Sequence, residues 1–242
     1  MEKLILVFIV TFLVRIVGVI TGGGGMVLIP FLVFLGLPPS EALATNRFGA
    51  LGVNCSLLEF HRQKQVQWKL GLSLLIPTIL GSVIGSFFVV SIDQQLFQKL
   101  LGIVILLCIP LLLFQKDIGT QAKKISRPRF WTGIFLTLVA GFMGGLFAST
   151  GIWYSYLFFF FGLTMLQTAA TRKIIGFAVA LSSLFIFIPA GLIDWTLGIT
   201  MLIASLLGGI LGAKIGIKKG NVWAKNVFLF VVFLAALKMI LG

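Results

Sequence analysis

Apolar positions in this chain gather into ten runs, at residues 4–20, 26–37, 43–60, 70–92, 96–114, 130–147, 152–163, 174–193, 197–215 and 222–241. We label them a to e and a′ to e′. Crossing about 30 Å of hydrocarbon takes about 20 helical residues, and most runs meet or approach that length. Runs b (26–37) and b′ (152–163) do not, since as helix they reach only about 18 Å. The pattern predicts an all-α integral membrane protein with 8–10 membrane segments, some of them short or discontinuous. One long polar stretch, 115–129, divides the chain into a first membrane repeat at 1–114, a cytoplasmic linker and a second membrane repeat at 130–242.

The two parts match in order. Gly18, Gly25, Gly36-Leu37 and Ala44-Thr45 recur as Gly144, Gly151, Gly162-Leu163 and Ala170-Thr171 at an offset of 126. Gly71, Gly81 and Gly85 recur as Gly198, Gly208 and Gly212 at an offset of 127, so a single one-residue gap accounts for the change. An internal repeat of about five segments in a membrane protein points to a transporter architecture.

Charge sets the orientation. Basic residues cluster in loop c–d (Arg62, Lys64, Lys69), in 115–129, in loop d′–e′ (Lys214, Lys218, Lys219, Lys225) and at Arg172-Lys173. Loops d–e and c′–d′ hold Asp93 and Asp194 instead. Basic loops face the cytoplasm. Loop c–d is then inside while its repeat partner c′–d′ is outside, which makes the repeats inverted and both termini external. The short runs b and b′ must carry the chain across, each as a half-helix plus extended chain. The five residues 164–168 would add about 16 Å in extended form.

Composition closes off other classes. The chain is 59% hydrophobic and 10% charged, against about 45–50% and 25% in soluble domains. Its net charge of +13 lies in gaps between apolar runs, not in the face or stripe that nucleic acid needs. Cys55 and Cys108 both lie inside apolar runs and read as small buried hydrophobes, with no metal or disulfide pattern. With six acids and one His, the chain lacks the clustered groups of an enzyme, and no cofactor, metal site or catalytic residue is expected. No phosphate-binding loop for ATP is present.

Three places can carry chemistry. Gly22 to Gly25 precede run b; they form either a surface turn or a backbone break where the N–H groups of a helix start meet an anion. Thr45-Asn46-Arg47 and Thr171-Arg172-Lys173 put hydroxyl, amide and cation near the start of runs c and c′. An arginine there either grips an oxyanion or snorkels to headgroups, and Arg172 and Lys173 also fit the positive-inside pattern. Ser149-Thr150-Gly151 stands where the glycines stand in the first repeat, as ligand groups or as a helix cap. Gly81-x-x-x-Gly85 and Gly208-x-x-x-Gly212 read as helix packing. Glu59 is the one acid deep enough for a coupling role, with a loop-edge salt bridge as the alternative. His61 reads as solvated, and Arg15 lacks an obvious acidic partner.

The run Gly23-Gly24-Gly25-x-x-x-x-Pro30, then Gly36-Leu37-Pro38, then Ala42-x-Ala44-Thr45-Asn46, with Val66-x-Trp68 later, resembles the TauE/SafE sulfite-exporter family of permeases. The second repeat departs from the family pattern at Ala148-Ser149-Thr150-Gly151 and at Tyr156. The resemblance implies a multi-pass carrier of the inner membrane for sulfite, sulfonates, thiosulfate or related organic anions. It implies Gly23, Gly24, Gly25, Thr45 and Asn46 at the translocation site. The internal repeat adds Ser149, Thr150, Thr171 and Arg172, and the placement of Arg47 adds that residue. The expected partners are a small anionic substrate, the lipid bilayer and a coupling proton or ion. A secondary transporter is the reading, with a passive anion channel or a membrane thiol-redox protein as alternatives. Oligomeric state is not set by the sequence.

Overall fold

The structure is a computed structural model that describes residues 2–100, 103, 127–147 and 150–241. Among these every regular element is helical: α1 (Glu2–Thr21), α2 (Gly24–Phe34), α3 (Pro39–Asn54), α4 (Leu57–Arg62), α5 (Trp68–Ser73), α6 (Leu75–Ser91), α7 (Arg127–Leu146), α8 (Thr150–Phe160), α9 (Met165–Phe187) and α10 (Trp195–Leu241). Residues 94–100 are also helical, but most of run e and of the linker 115–129 lies outside the described residues. Helix α1, helix α9 and the Trp195–Trp223 part of α10 are long and apolar enough to cross a membrane, and α2, α6 and most of α7 are shorter apolar helices. Large apolar side chains such as Phe34, Phe185 and Ile76 are 73–86% exposed, which suits lipid and not water. The chain is a multi-pass membrane protein.

Local chemistry explains the boundaries. Pro39 opens α3 at a position where no backbone N–H is needed. Run c is cut at Cys55 into α3 and α4, and run d at Leu74 into α5 and α6. Runs d′ and e′ join into one helix with a break at Gly220, whose φ of 81° only glycine adopts at little strain. Thr164 accepts from the Gln167 N–H at 3.3 Å and the Gln167 side chain accepts from the Thr164 N–H at 3.1 Å. That capping box starts α9 at Met165, so 165–168 are helical and not extended, and Arg172 and Lys173 sit two turns inside a helix.

The connections sort into two ends. At one, Lys3 donates to the Leu35 carbonyl, the Ser40 N–H to the Gln94 side chain, and the Asp194 N–H to the Thr45 hydroxyl. At the other, Glu59 meets Lys214, the Gln67 N–H donates to Thr171, and the Leu166 N–H to Asn221. The first end carries loops d–e and c′–d′, and the second carries the basic loops c–d and d′–e′. This is the separation that the charge pattern predicts for inverted repeats.

The repeats exchange their fourth helix. Helix α1 packs along α10, and α3 packs on α10 as well; α6 packs along α7 and on α9. One bundle is therefore α1, α2, α3 and α10, and the other is α7, α8, α9 and α6. Glycines make the exchange possible. A Cβ on Gly81 or Gly85 of α6 would run into the backbone of α7, and one on Gly208 or Gly212 of α10 into that of α1. These small-residue pairs pack helices, as their spacing predicts, but each pair faces the opposite half of the chain.

Candidate functional site

Two helix breaks meet where the bundles touch. In one bundle the chain leaves α1 at Thr21, turns through Gly22 (φ 79°) and re-enters helix at Gly24. In the other it leaves α7 at Leu146 and re-enters helix at Thr150. Gly22 and Gly151 pack backbone to backbone: a Cβ on Gly22 would sit 2.7 Å from the Gly151 carbonyl carbon. No side chain caps α2, so the first N–H groups of that 11-residue helix and its positive dipole end are presented to the break.

A cavity of about 70 Å³ opens here, walled by Gly18, Gly22, Gly24 and Gly25 of the first break, by Asn46, Ala50 and Asn54 of α3, and by Gly151 and Gly176 of the second bundle. Four cations, Arg15, Arg47, Arg172 and Lys173, complete the wall. They are only 4–6% exposed, and among the described residues no Asp or Glu lines the cavity. Buried charge without a counter-charge is strongly unfavourable, by about 3–5 kcal/mol when one partner is missing. One water takes about 10–15 Å³ on this measure, so the space fits one small anion with little water.

Each arginine is held in place. Arg15 donates from Nε to Ser205 at 3.1 Å and from Nη2 to Asn46 at 2.9 Å. Its Nη1 lies against the start of α2, where a Cβ on Gly24 would come within 3.2 Å of it. Arg47 donates to the carbonyls of Gly144 and Phe147 at the end of α7. Arg172 donates to Val19 and Ile20 at the end of α1, at 3.1 and 3.0 Å, and to Gly151 and Ser155 of α8. A cation at a helix C-terminus is favourable, so Arg47 and Arg172 each tie one bundle to the other through a helix end.

The structure brings Gly24, Gly25, Asn46, Arg47 and Arg172 to one cavity. Gly23 lies beside it, on an apolar groove between α1 and α2. Thr45 and Thr171 are fully buried, and their hydroxyls accept the N–H groups of Asp194 and Gln67 at 3.0 Å each. These bonds fasten the start of α10 to α3 and the start of α5, which leads into α6, to α9. Ser149 lies outside the described residues, and Thr150 is the first residue of α8. Arg15 and Lys173 were not among the sequence-derived site residues. The unpaired charge of Arg15 deep in an apolar run was the available signal for it; Lys173 was masked by its fit to a cytoplasmic loop. Glu59 takes the salt-bridge alternative, to Arg62 at 3.6 Å and Lys214 at 3.8 Å. His61 is exposed and accepts from the Trp68 indole. Cys55 contacts the Leu51 carbonyl away from the cavity, and Cys108 lies outside the described residues.

The family model for "Sulfite exporter TauE/SafE" matches residues 7–239. A protein of Haemophilus influenzae named "Probable membrane transporter protein" is 32% identical over 99% of this chain and 95% of its own length. The Escherichia coli K12 "Probable membrane transporter protein YfcA" is 29% identical over 88% of this chain and 81% of its own. The Bacillus subtilis "Probable membrane transporter protein YunE" is 26% identical over 81% and 82%. No solved structure matches the chain.

Proposed function

The chain belongs to the sulfite exporter TauE/SafE family and is a membrane transporter of that type, and from this premise we propose that it is a secondary transporter of small anions, moving sulfite, a sulfonate, thiosulfate or a related organic anion across the inner membrane by alternating access. The observation that carries the reading is the cavity between the two bundles, whose described lining holds four buried cations and no acid. An anion there gains charge-assisted hydrogen bonds and lies before the N–H groups of α2. The rocking bodies are the two bundles, not the two sequence halves, because the fourth helices are exchanged. Opening toward the Asp194 end releases Arg47 from α7. Opening toward the Lys214 end releases Arg172 from α1. The anion relieves the repulsion among the cations and so favours the closed state that passes between the two.

The test is thermal stabilisation of the purified protein by sulfite, thiosulfate, sulfoacetate, taurine, acetate and chloride. A ligand at one hundred times its Kd adds about 2.7 kcal/mol to stability. Stabilisation by a sulfur oxyanion and not by chloride is expected, and it should be lost in Arg15→Gln. Equal response to all six, or to none, contradicts the reading.

A further inference from the structure

The four cations of the cavity are not equivalent. The three arginines spend N–H groups on carbonyls, on Ser205 or on Asn46. Lys173 is 4% exposed and lines the same cavity, and among the described residues its ammonium has no hydrogen bond or ion pair. It lies in the fields of Arg172 on its own helix and of Arg15 on α1; Arg15 in turn faces Arg47 of α3. Among the described residues no other element packed closely on α9 offsets this. Helices α6, α7, α8 and α10 contain no Asp, Glu or His. On α4, Glu59 faces Arg62 and Lys214, and His61 faces Trp68. On α5, Lys69 is exposed, and on α3 Glu41 lies in the first turn, off the cavity.

A guanidinium keeps its proton throughout; an ε-amine can release one. Among the described residues the cavity therefore has a single group that can discharge when no anion is bound. The repeat sharpens the contrast, because Lys173 occupies in the second half the place of Arg47 in the first. Resting on the anion reading above, we propose that Lys173 is the proton-coupling residue and that the protein is a proton–anion symporter. The Lys173 amine takes a proton from water on the side to which the cavity is open, as the anion enters. Nζ carries that proton as a counter-charge to the anion through the closed state. The proton returns to water on the far side as the anion leaves. On entry one N–H bond forms at Nζ as one O–H bond of hydronium breaks, and on exit that N–H breaks as the O–H bond forms again in water on the far side.

The test uses the full chain in proteoliposomes containing a pH-sensitive dye, with thiosulfate and sulfate as probes, because neither carries a proton near neutral pH. Wild type, Lys173→Arg and Lys173→Gln are compared for lumen acidification under an inward probe gradient and for exchange of labelled probe at equal pH. Wild type is expected to acidify the lumen as it takes up the probe. Lys173→Arg is expected to lose acidification and net uptake at least tenfold more than it loses probe exchange, since loaded carrier can still cross in both directions. Lys173→Gln is expected to bind the probe at least tenfold more weakly. Wild-type uptake without acidification overturns the proposal while leaving the anion reading intact, and this reading decides alone if neither variant folds. Acidification by Lys173→Arg at the wild-type rate, or a folded Lys173→Arg without exchange, overturns it as well. If neither probe binds or exchanges in wild type, the anion reading falls and the symport with it.

Discussion

The guanidinium of Arg15 donates to the side-chain oxygen of Asn46 at 2.9 Å, across 31 residues of chain. The bond joins α1 to α3 at the wall of the cavity and aims the remaining N–H groups of Arg15 at the start of α2. Asn46→Asp keeps an acceptor in place but puts a negative charge among the cations. It is expected to leave the thermal midpoint of the anion-free protein unchanged or higher, and to remove anion-dependent stabilisation. Asn46→Leu removes the acceptor and should lower stability by about 1–3 kcal/mol. Differential scanning fluorimetry with and without anion separates the two effects.

Arg47 and Arg172 hold opposite helix ends across the bundle interface. Losing a hydrogen bond from a charged group is worth about 1.5–3 kcal/mol, enough to move a conformational ratio by about tenfold or more. Arg47→Gln is expected to favour opening toward the Asp194 end, and Arg172→Gln opening toward the Lys214 end. The rate at which an impermeant thiol reagent labels Ala50→Cys from each side reads the shift. Equal acceleration from both sides in both variants would contradict this assignment of the two clamps.

Gly85 and Gly212 occupy equivalent places in the two exchanged contacts, and a Cβ at either would come within 2.8 Å of main-chain atoms of α7 or α1. Because the obstacle is backbone, it cannot turn aside. Gly85→Ala and Gly212→Ala are each expected to lower stability by about 1–3 kcal/mol. Measured unfolding midpoints in detergent check whether the two losses are alike, as two copies of one interface require.

Thr45 and Thr171 each accept one backbone N–H from a loop. Thr45→Val and Thr171→Val are expected to cost about 1 kcal/mol of stability each and to change the KM for the transported anion by less than about threefold. A larger rise in KM with stability unchanged would place these hydroxyls on the anion after all.

Much of this arrangement is legible in the chain before any coordinates. The glycines at 22–25, the short run b, the repeat offsets and the shared end of the basic loops c–d and d′–e′ are local or periodic signals, and each has its counterpart in the structure. What is not legible is which distant elements meet. Gly81 and Gly208 announce close packing through their spacing, yet nothing local tells that each faces the other half. Thr45 and Thr171 carry polarity in an apolar run, which reads equally as a ligand or as a fastening until Asp194 and Gln67 are seen against them. Lys173 was hidden by a capping box, because Thr164 and Gln167 extend the helix outward and draw into its interior a lysine that composition places in a loop. Arg15 depends on Ser205, 190 residues away.

The most direct measurement is the position of a bound oxyanion. Selenate stands in for a sulfur oxyanion and scatters anomalously, so a crystal structure of the protein grown with it locates the site without assumption. The expected result is a single strong peak inside the cavity, within hydrogen-bonding distance of Lys173 and Arg15 and in front of the first turn of α2. Peaks confined to the basic loops near Lys64 or Lys214, with none at the meeting of the two helix breaks, would contradict the account.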